Sequence, residues 1–142
     1  MENFIESKFI ISKTVLFQSE IKSIKLLEQF LEELNKRFFL NETVLSSIKT
    51  CFYEALTNAI LHGNKENVFK FVKLDFELIH QNCMVFKITD EGEGFNPKQL
   101  PDPTLSENLE KFGGRGVYIM RKLADFCIFN HIGNEVELYF KF

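Results

Sequence analysis

Apolar and polar residues alternate along several stretches of this chain, which is the pattern of a β-strand with one buried face. The alternation predicts a strand over residues 9–17, a second over 69–80 and a third over 83–89. Two later stretches, 127–132 and 135–142, flank a Gly-Asn dipeptide and predict a β-hairpin. Together these strands are enough to form a sheet that buries one of its faces.

Three other stretches repeat their apolar residues about every 3.6 positions, which is the period of an amphipathic helix. They predict helices over residues 20–38, 42–62 and 116–126. Asn41 supplies an N-cap for the second helix, and Gly63 supplies a stop at its end. These helices would cover the buried face of the sheet.

The order of the elements predicts an α+β fold, a two-layer sandwich in which a mixed, mostly antiparallel sheet packs under helices. We expect residues 1–142 to form a single domain, because this length is typical of one domain. The irregular stretch 90–114 is too long for an ordinary connection. Such loops are usually functional lids or disordered segments.

The composition is that of a folded globular chain, with 45% hydrophobic and 26% charged residues. The net charge is −3 and no basic block is present, which weighs against sequence-independent nucleic-acid binding. Phenylalanine is in excess, with 17 residues. Core filling is the main explanation, and aromatic anchors at a partner surface are the alternative.

The three cysteines, Cys51, Cys83 and Cys127, are widely spaced and form no CxxC pair. This spacing suggests neither a disulfide framework nor a zinc site, so we interpret them as small buried hydrophobes. The first eight residues carry two glutamates and lack the apolar segment of a secretory signal. No apolar run approaches the length of a membrane span. We therefore expect a cytoplasmic protein that does not bind a membrane.

Polar residues form a stripe along the second predicted helix, where Glu54, Asn58 and His62 are four residues apart. This spacing places them on one helix face, at the border of the apolar arc. A carboxylate and an amide beside a buried face are costly unless something satisfies them. They either bind a ligand or form a boundary row that is hydrogen-bonded to the protein itself. For His62 we favour a structural role.

Asp90 ends the apolar inner face of the third predicted strand, and Gly92 and Gly94 follow it. One interpretation is a carboxylate at the floor of a pocket, where it accepts a hydrogen bond from an amino group. The glycines would then let the backbone approach a flat ligand closely. The alternative is an ordinary turn, because glycine and aspartate favour turns.

Three glycines and an arginine, Gly113, Gly114, Arg115 and Gly116, stand directly before the last predicted helix. Backbone N–H groups at a helix start, together with a fixed cation, favour an anion such as phosphate. A flexible loop that leads into a helix is the alternative. The run matches neither the P-loop nor the dinucleotide-binding pattern.

These three segments together resemble the motifs of the GHKL ATPase superfamily. The N-box of that superfamily is similar to residues 54–64, EALTNAILHGN, and its DxGxG adenine-site motif is similar to residues 90–95, DEGEGF. Its second glycine box is similar to residues 113–120, GGRGVYIM. The short build and the Pro-Asp-Pro stretch at 101–103 resemble the branch of bacterial anti-sigma factor serine kinases.

The resemblance implies a Bergerat-type fold that holds ATP and Mg²⁺ between the helices and a lid. Glu54 would be the general base or the carboxylate that orients the reacting hydroxyl, and Asn58 would coordinate Mg²⁺. Asp90 would accept a hydrogen bond from the adenine amino group. The remaining cofactor-binding residues would be the glycines of the adenine pocket and the phosphate contacts: Gly92, Gly94, Gly113, Gly114, Arg115 and Gly116.

For function, the resemblance implies a protein serine/threonine kinase that also sequesters a sigma factor. Its substrate would be a STAS-domain anti-sigma antagonist, and the two proteins would exchange in a partner switch. The resemblance also implies a homodimer. The alternative is a non-catalytic, ATP-dependent binding switch of the same fold. The catalytic domain of a sensor histidine kinase fits poorly, because no helix carries a phosphoacceptor histidine.

Overall fold

The computed structural model of this chain describes residues 5–6, 11–100, 104 and 114–142. Its strands are β1 (Ile5–Glu6), β2 (Ile11–Gln18), β3 (Phe71–Ile79), β4 (Cys83–Thr89), β5 (Phe126–Phe129) and β6 (Glu135–Lys141). Its helices are α1 (Ile24–Phe38), α2 (Glu42–Asn58) and α3 (Arg115–Leu123). Two short 3₁₀ turns, Ile21–Ser23 and Pro97–Gln99, and a π-helical turn, Ala59–Gly63, complete the description.

The six strands form one sheet in the order β1-β2-β3-β4-β6-β5, and every neighbouring pair is antiparallel. The register aligns apolar residues in rows across the sheet. One row consists of Val15, Leu74, Ile88, Val136 and Phe129. Helices pack against the inner face, so the predicted α+β sandwich is confirmed.

The centre of the core is a group of aromatic side chains between the helices and the sheet. The ring centroids of Phe52 and Phe86 lie 4.4 Å apart, and those of Phe76 and Phe86 lie 5.2 Å apart. Phe30 stacks on Phe52 from α1. Among the described phenylalanines, six are buried in the core and six are exposed, so core filling accounts for only part of the excess. Phe69, by contrast, is 89% exposed.

Most predicted boundaries agree with the structure, and β4 has the predicted limits. Among the exceptions, α3 ends at Leu123 rather than at residue 126, and β5 ends at Phe129 rather than at residue 132. The chain turns extended at Ala124, and Phe126 then pairs with Tyr139 in the sheet. Of the predicted loop 90–114, residues 101–103 and 105–113 lie outside the described residues. Among the described helices, none is long and apolar enough to cross a membrane.

We expect Phe86→Ala to lower the free energy of unfolding by about 3–5 kcal/mol, because it removes a fully buried ring and leaves a cavity. Urea unfolding followed by circular dichroism measures this change. The matched control is Phe69→Ala, for which we expect a change within about 0.5 kcal/mol because the ring is exposed. Equal losses in the two variants would contradict the described core.

Candidate functional site

A cavity of about 660 Å³ opens between α2, α3 and the inner face of the sheet. This volume is in the range of sites for small molecules. Its walls are largely apolar, with Ile88 from β4, Met120 from α3 and Val136 from β6 among them. The cavity brings the three predicted motifs together, since its lining includes the following candidate residues: Asn58, His62, Asp90, Gly94, Gly114, Arg115 and Gly116.

Asp90 stands directly after β4, at the inner end of the cavity wall. Its backbone N–H donates to the carbonyl of Asn134 over 2.9 Å, and its Oδ1 accepts from the N–H of Gly92 over 2.7 Å. Burial raises the pKa of the Asp90 carboxyl, while the Gly92 hydrogen bond and the charge of Lys70 oppose the rise. Asp90 is thus a partly desolvated acceptor that faces a largely apolar space.

Two glycines allow the end of the second helix to touch Asp90. A side-chain carbon at Gly63 would overlap the Asp90 carboxylate, and one at Gly92 would overlap the carbonyl of Gly63. The close approach, rather than an unusual backbone angle, therefore excludes larger residues at both positions. Gly92 does not line the cavity but packs behind the carboxylate.

Gly94 and Gly133 lie at positions that require glycine both for their backbone angles and for the close contacts around them. Their φ angles are 79° and 85°, in the region that favours glycine. A side-chain carbon at Gly94 would overlap the carbonyl of Ile132, and one at Gly133 would overlap the carbonyl of Phe95. The loop after Asp90 therefore packs directly on the loop before β6.

The polar stripe of α2 meets the start of α3 at Gly116. A side-chain carbon at Gly116 would lie 2.6 Å from Oε2 of Glu54 and 3.2 Å from Nδ2 of Asn58. Among the described residues, no hydrogen bond joins the carboxylate of Glu54 or the carboxamide of Asn58 to another protein group. For Glu54 and Asn58, the alternative of a boundary row satisfied within the protein is therefore not supported by the described contacts.

The first turn of α3 stands at the cavity wall, where the sequence predicts an anion site. Gly114 is the N-cap residue with φ 87°, and Arg115 follows as an exposed residue at the cavity wall. Helix N-termini attract negative charge through their unpaired N–H groups and the helix dipole. Gly113 lies outside the described residues. Glu54 does not line the cavity and instead stands against Gly116.

Several residues at the site were given no role by sequence reasoning. The sequence predicts Gly63 only as a helix stop and Asn64 only as part of the N-box segment. Asn134 was assigned to a hairpin turn, yet it lines the cavity and holds the backbone of Asp90. Glu135 also lines the cavity, where its Oε1 accepts from the hydroxyl of Thr89 over 3.1 Å. These contacts cannot be predicted from residue spacing within one segment, because the partners are distant in sequence.

Comparison with known proteins agrees with this geometry. The family model described as Histidine kinase-like ATPase domain matches residues 17–140. Among curated proteins, the chain is 36% identical over 84 residues to the Anti-sigma F factor of Priestia megaterium, covering 57% of this chain and 56% of that protein. It is 32% identical over 84 residues to the Anti-sigma F factor of Clostridium botulinum (strain Alaska E43 / Type E3), covering 57% of each.

The chain thus spans little more than half the length of these relatives. These matches confirm the resemblance to the GHKL ATPase superfamily and its anti-sigma branch. The residues that indicate this resemblance are 54–64, 90–95 and 113–120. The family match covers most of the chain and includes every described element of the cavity. The chain therefore belongs to the family of histidine kinase-like ATPase domains.

Proposed function

We propose that this chain binds ATP in the described cavity and acts as a protein serine/threonine kinase in anti-sigma regulation. The observation that carries the proposal is the arrangement of the cavity. A carboxylate, Asp90, stands at its apolar end, and a glycine-rich helix start with Arg115 stands at its polar end. Asn58 lies on α2 beside the start of α3. This arrangement suits a ligand with a flat apolar part and an anionic part.

The apolar end fits a purine with an exocyclic amino group. Ile88, Met120 and Val136 offer apolar contacts, and the Asp90 carboxylate accepts a hydrogen bond from the amino group. Guanine presents a carbonyl oxygen where adenine has this donor, so guanine would bring two acceptors together. The base end therefore favours adenine.

The polar end fits phosphate and Mg²⁺. The N–H groups at the start of α3 and the Arg115 guanidinium suit phosphate oxygens. The described residues contain no group of three or more His, Cys, Asp and Glu that could hold a metal by itself. Mg²⁺ commonly keeps several waters and binds one or two protein oxygens together with phosphates, so Asn58 would suffice. When bound, Mg²⁺ neutralises developing phosphate charge.

Glu54 is the residue we propose for the chemical step. It would orient the acceptor hydroxyl and take its proton, while the hydroxyl oxygen attacks the γ-phosphorus and the bond to ADP breaks. The position of Glu54 one helical turn before Asn58 supports this role, because base and metal ligand then face the same helix start. The protein thus supplies position and charge, which phosphoryl transfer mainly needs.

The names of the relatives support a regulatory output. Proteins named Anti-sigma F factor align with the chain, so we propose a sigma factor as one partner and a STAS-domain antagonist as the substrate. No direct contact with nucleic acid is proposed, in keeping with the net charge of −3. The homodimer, the cytoplasmic location and the single domain over residues 1–142 stay predictions.

One observation favours the alternative of a non-catalytic, ATP-dependent binding switch. Glu54 does not line the cavity, and its carboxylate lies against Gly116. A nucleotide bound as described would then control partner binding without efficient transfer. The kinase test below distinguishes the two functions.

We expect Asp90→Asn to weaken ADP binding roughly 10- to 100-fold, because a charged acceptor for the amino group is lost. Isothermal titration calorimetry measures the affinity. Asp75→Asn is the matched control, since Asp75 pairs with Lys73 on the other face of the sheet. An unchanged affinity in Asp90→Asn would remove this carboxylate from the base site.

The raised pKa of Asp90 predicts a pH dependence of adenosine binding. The amino group binds the ionised carboxylate, so protons compete with the ligand as the pH falls through the raised pKa. The affinity for adenosine should therefore begin to fall at a higher pH than the ordinary carboxyl pKa of about 4 would give. Calorimetry with adenosine avoids the titration of phosphates. Asp90→Asn should remove this dependence, and a persistent dependence in that variant would assign it to another group.

We expect Glu54→Gln to lower γ-phosphate transfer to a co-encoded STAS-domain protein by about 10²- to 10⁴-fold. The affinity for ATP should change by less than about threefold, since the amide keeps the shape of the side chain. Transfer is measured with radiolabelled ATP. Glu42→Gln, in the first turn of α2, is the control. Tight partner binding without transfer in the unaltered protein would instead establish the binding switch.

A further inference from the structure

Asn64 follows the π-helical turn of α2 and is only 1% exposed, although its side chain is polar. Its Nδ2 donates to the hydroxyl of Ser19 over 2.8 Å and to the carbonyl of Phe71 over 3.0 Å. Its Oδ1 accepts from the backbone N–H of Glu91 over 2.7 Å. The carboxamide therefore uses both donors and its acceptor, as burial of an amide requires.

The backbone around Asn64 is fixed as firmly as its side chain. Its N–H donates to the carbonyl of Ala59 over 2.8 Å, and its carbonyl accepts from the N–H of Asn67 over 3.0 Å. The next two residues, Lys65 and Glu66, have φ angles of 53° and 55°. Left-handed conformations cost energy in residues other than glycine and persist where the surroundings determine them. Asn64 is thus held in one place.

Asn64 is bonded to the segments on both sides of the contact between α2 and Asp90. It is the chain neighbour of Gly63, whose Cα packs against the Asp90 carboxylate. Its side chain also holds the N–H of Glu91, the chain neighbour of Asp90. The Glu91 side chain adds a second link, since its Oε2 accepts from the N–H of Phe71 over 2.8 Å.

We infer that Asn64 is a positioning residue for recognition of the base, which acts through Asp90 and does not touch the ligand. This inference rests on the proposed function. The hydrogen bond from Glu91 to Asn64 fixes the turn that carries the Asp90 carboxylate, so the acceptor meets the amino group at one position. Small displacements of a functional group are costly in binding and catalysis.

The test compares the affinities of Asn64→Ala, Asp90→Asn and the double variant for adenosine and ADP by calorimetry. We expect Asn64→Ala to weaken both ligands by a similar factor, on the order of 10-fold, because the effect lies at the base end. In the double variant, the loss should equal that of Asp90→Asn within about twofold, since residues that act as one unit are not additive. Additive losses would overturn the inference.

Ser19→Ala is the matched control, because it removes one partner of the same carboxamide but keeps the hydrogen bond to Glu91. Its affinity should stay within about threefold of the unaltered protein. A loss as large as that of Asn64→Ala would show a general structural role and overturn the inference. If Asp90→Asn keeps the unaltered affinity for adenosine and ADP, the proposed base site is contradicted. If Asp90→Asn loses affinity while Asn64→Ala keeps the unaltered affinity, the positioning role is contradicted and the base site is not.

Asn64→Asp keeps the test decisive where Asn64→Ala does not fold. The aspartate has the same shape and keeps the oxygen that accepts from Glu91, but it loses both donors. At about pH 8, we expect adenosine affinity within about fivefold of the unaltered protein despite a lower Tm. A loss of adenosine affinity above about 10-fold would overturn the inference.

Discussion

The contact between Gly63 and the Asp90 carboxylate is the constraint on which the rest of the site depends. In β4, the side chains of Met84, Phe86 and Ile88 point to the buried face of the sheet. Asp90 directly follows this strand and lies where the end of the second helix meets the sheet. The helix can approach the Asp90 carboxylate this closely only because the residue at the contact, Gly63, has no side chain. The π-helical turn widens the helix at this end, and the buried Asn64 begins the next segment. A carboxylate can therefore face the cavity while it stays partly desolvated.

Local patterns predicted the elements well where the tertiary structure agrees with them. The alternation over residues 83–89 predicted the limits of β4, and both neighbours, β3 and β6, pair along this whole length. The end of α3 was wrong, because the pairing of Phe126 with Tyr139 overrides a helical pattern and involves a residue 13 positions later. The buried Lys13 of β2 is another residue whose environment depends on a distant element, since its ammonium lies 2.6 Å from Oε2 of Glu33 in α1. A lysine on an apolar strand face indicates that a partner exists but not which one.

In the candidate site too, the sequence predicts residues of local motifs but not residues whose contacts are distant in sequence. Asp90, Asn58 and Gly114 could be proposed from the sequence because each stands in a short segment of unusual composition, and the cavity includes all three. Asn64 and Asn134 could not, because their hydrogen bonds to the Asp90 segment span 27 and 44 residues. Gly92 was expected at the pocket wall. It packs behind the carboxylate instead, since a turn that brings Gly92 back to Oδ1 also turns it away from the cavity.

One helix connects the two ends of the cavity, and this explains why a single segment carries so much of the chemistry. At about 1.5 Å per residue, the nine steps from Glu54 to Gly63 span roughly 13 Å, with the α3 contact at one end and the Asp90 contact at the other. A helix keeps this length fixed, so a ligand that binds both ends must match it. At the α3 end, the absence of a side chain at Gly116 is what lets the start of that helix approach Glu54. The position of the first turn of α3 therefore decides whether Glu54 reaches a bound phosphate, and with it whether the site transfers a phosphoryl group or only holds a nucleotide.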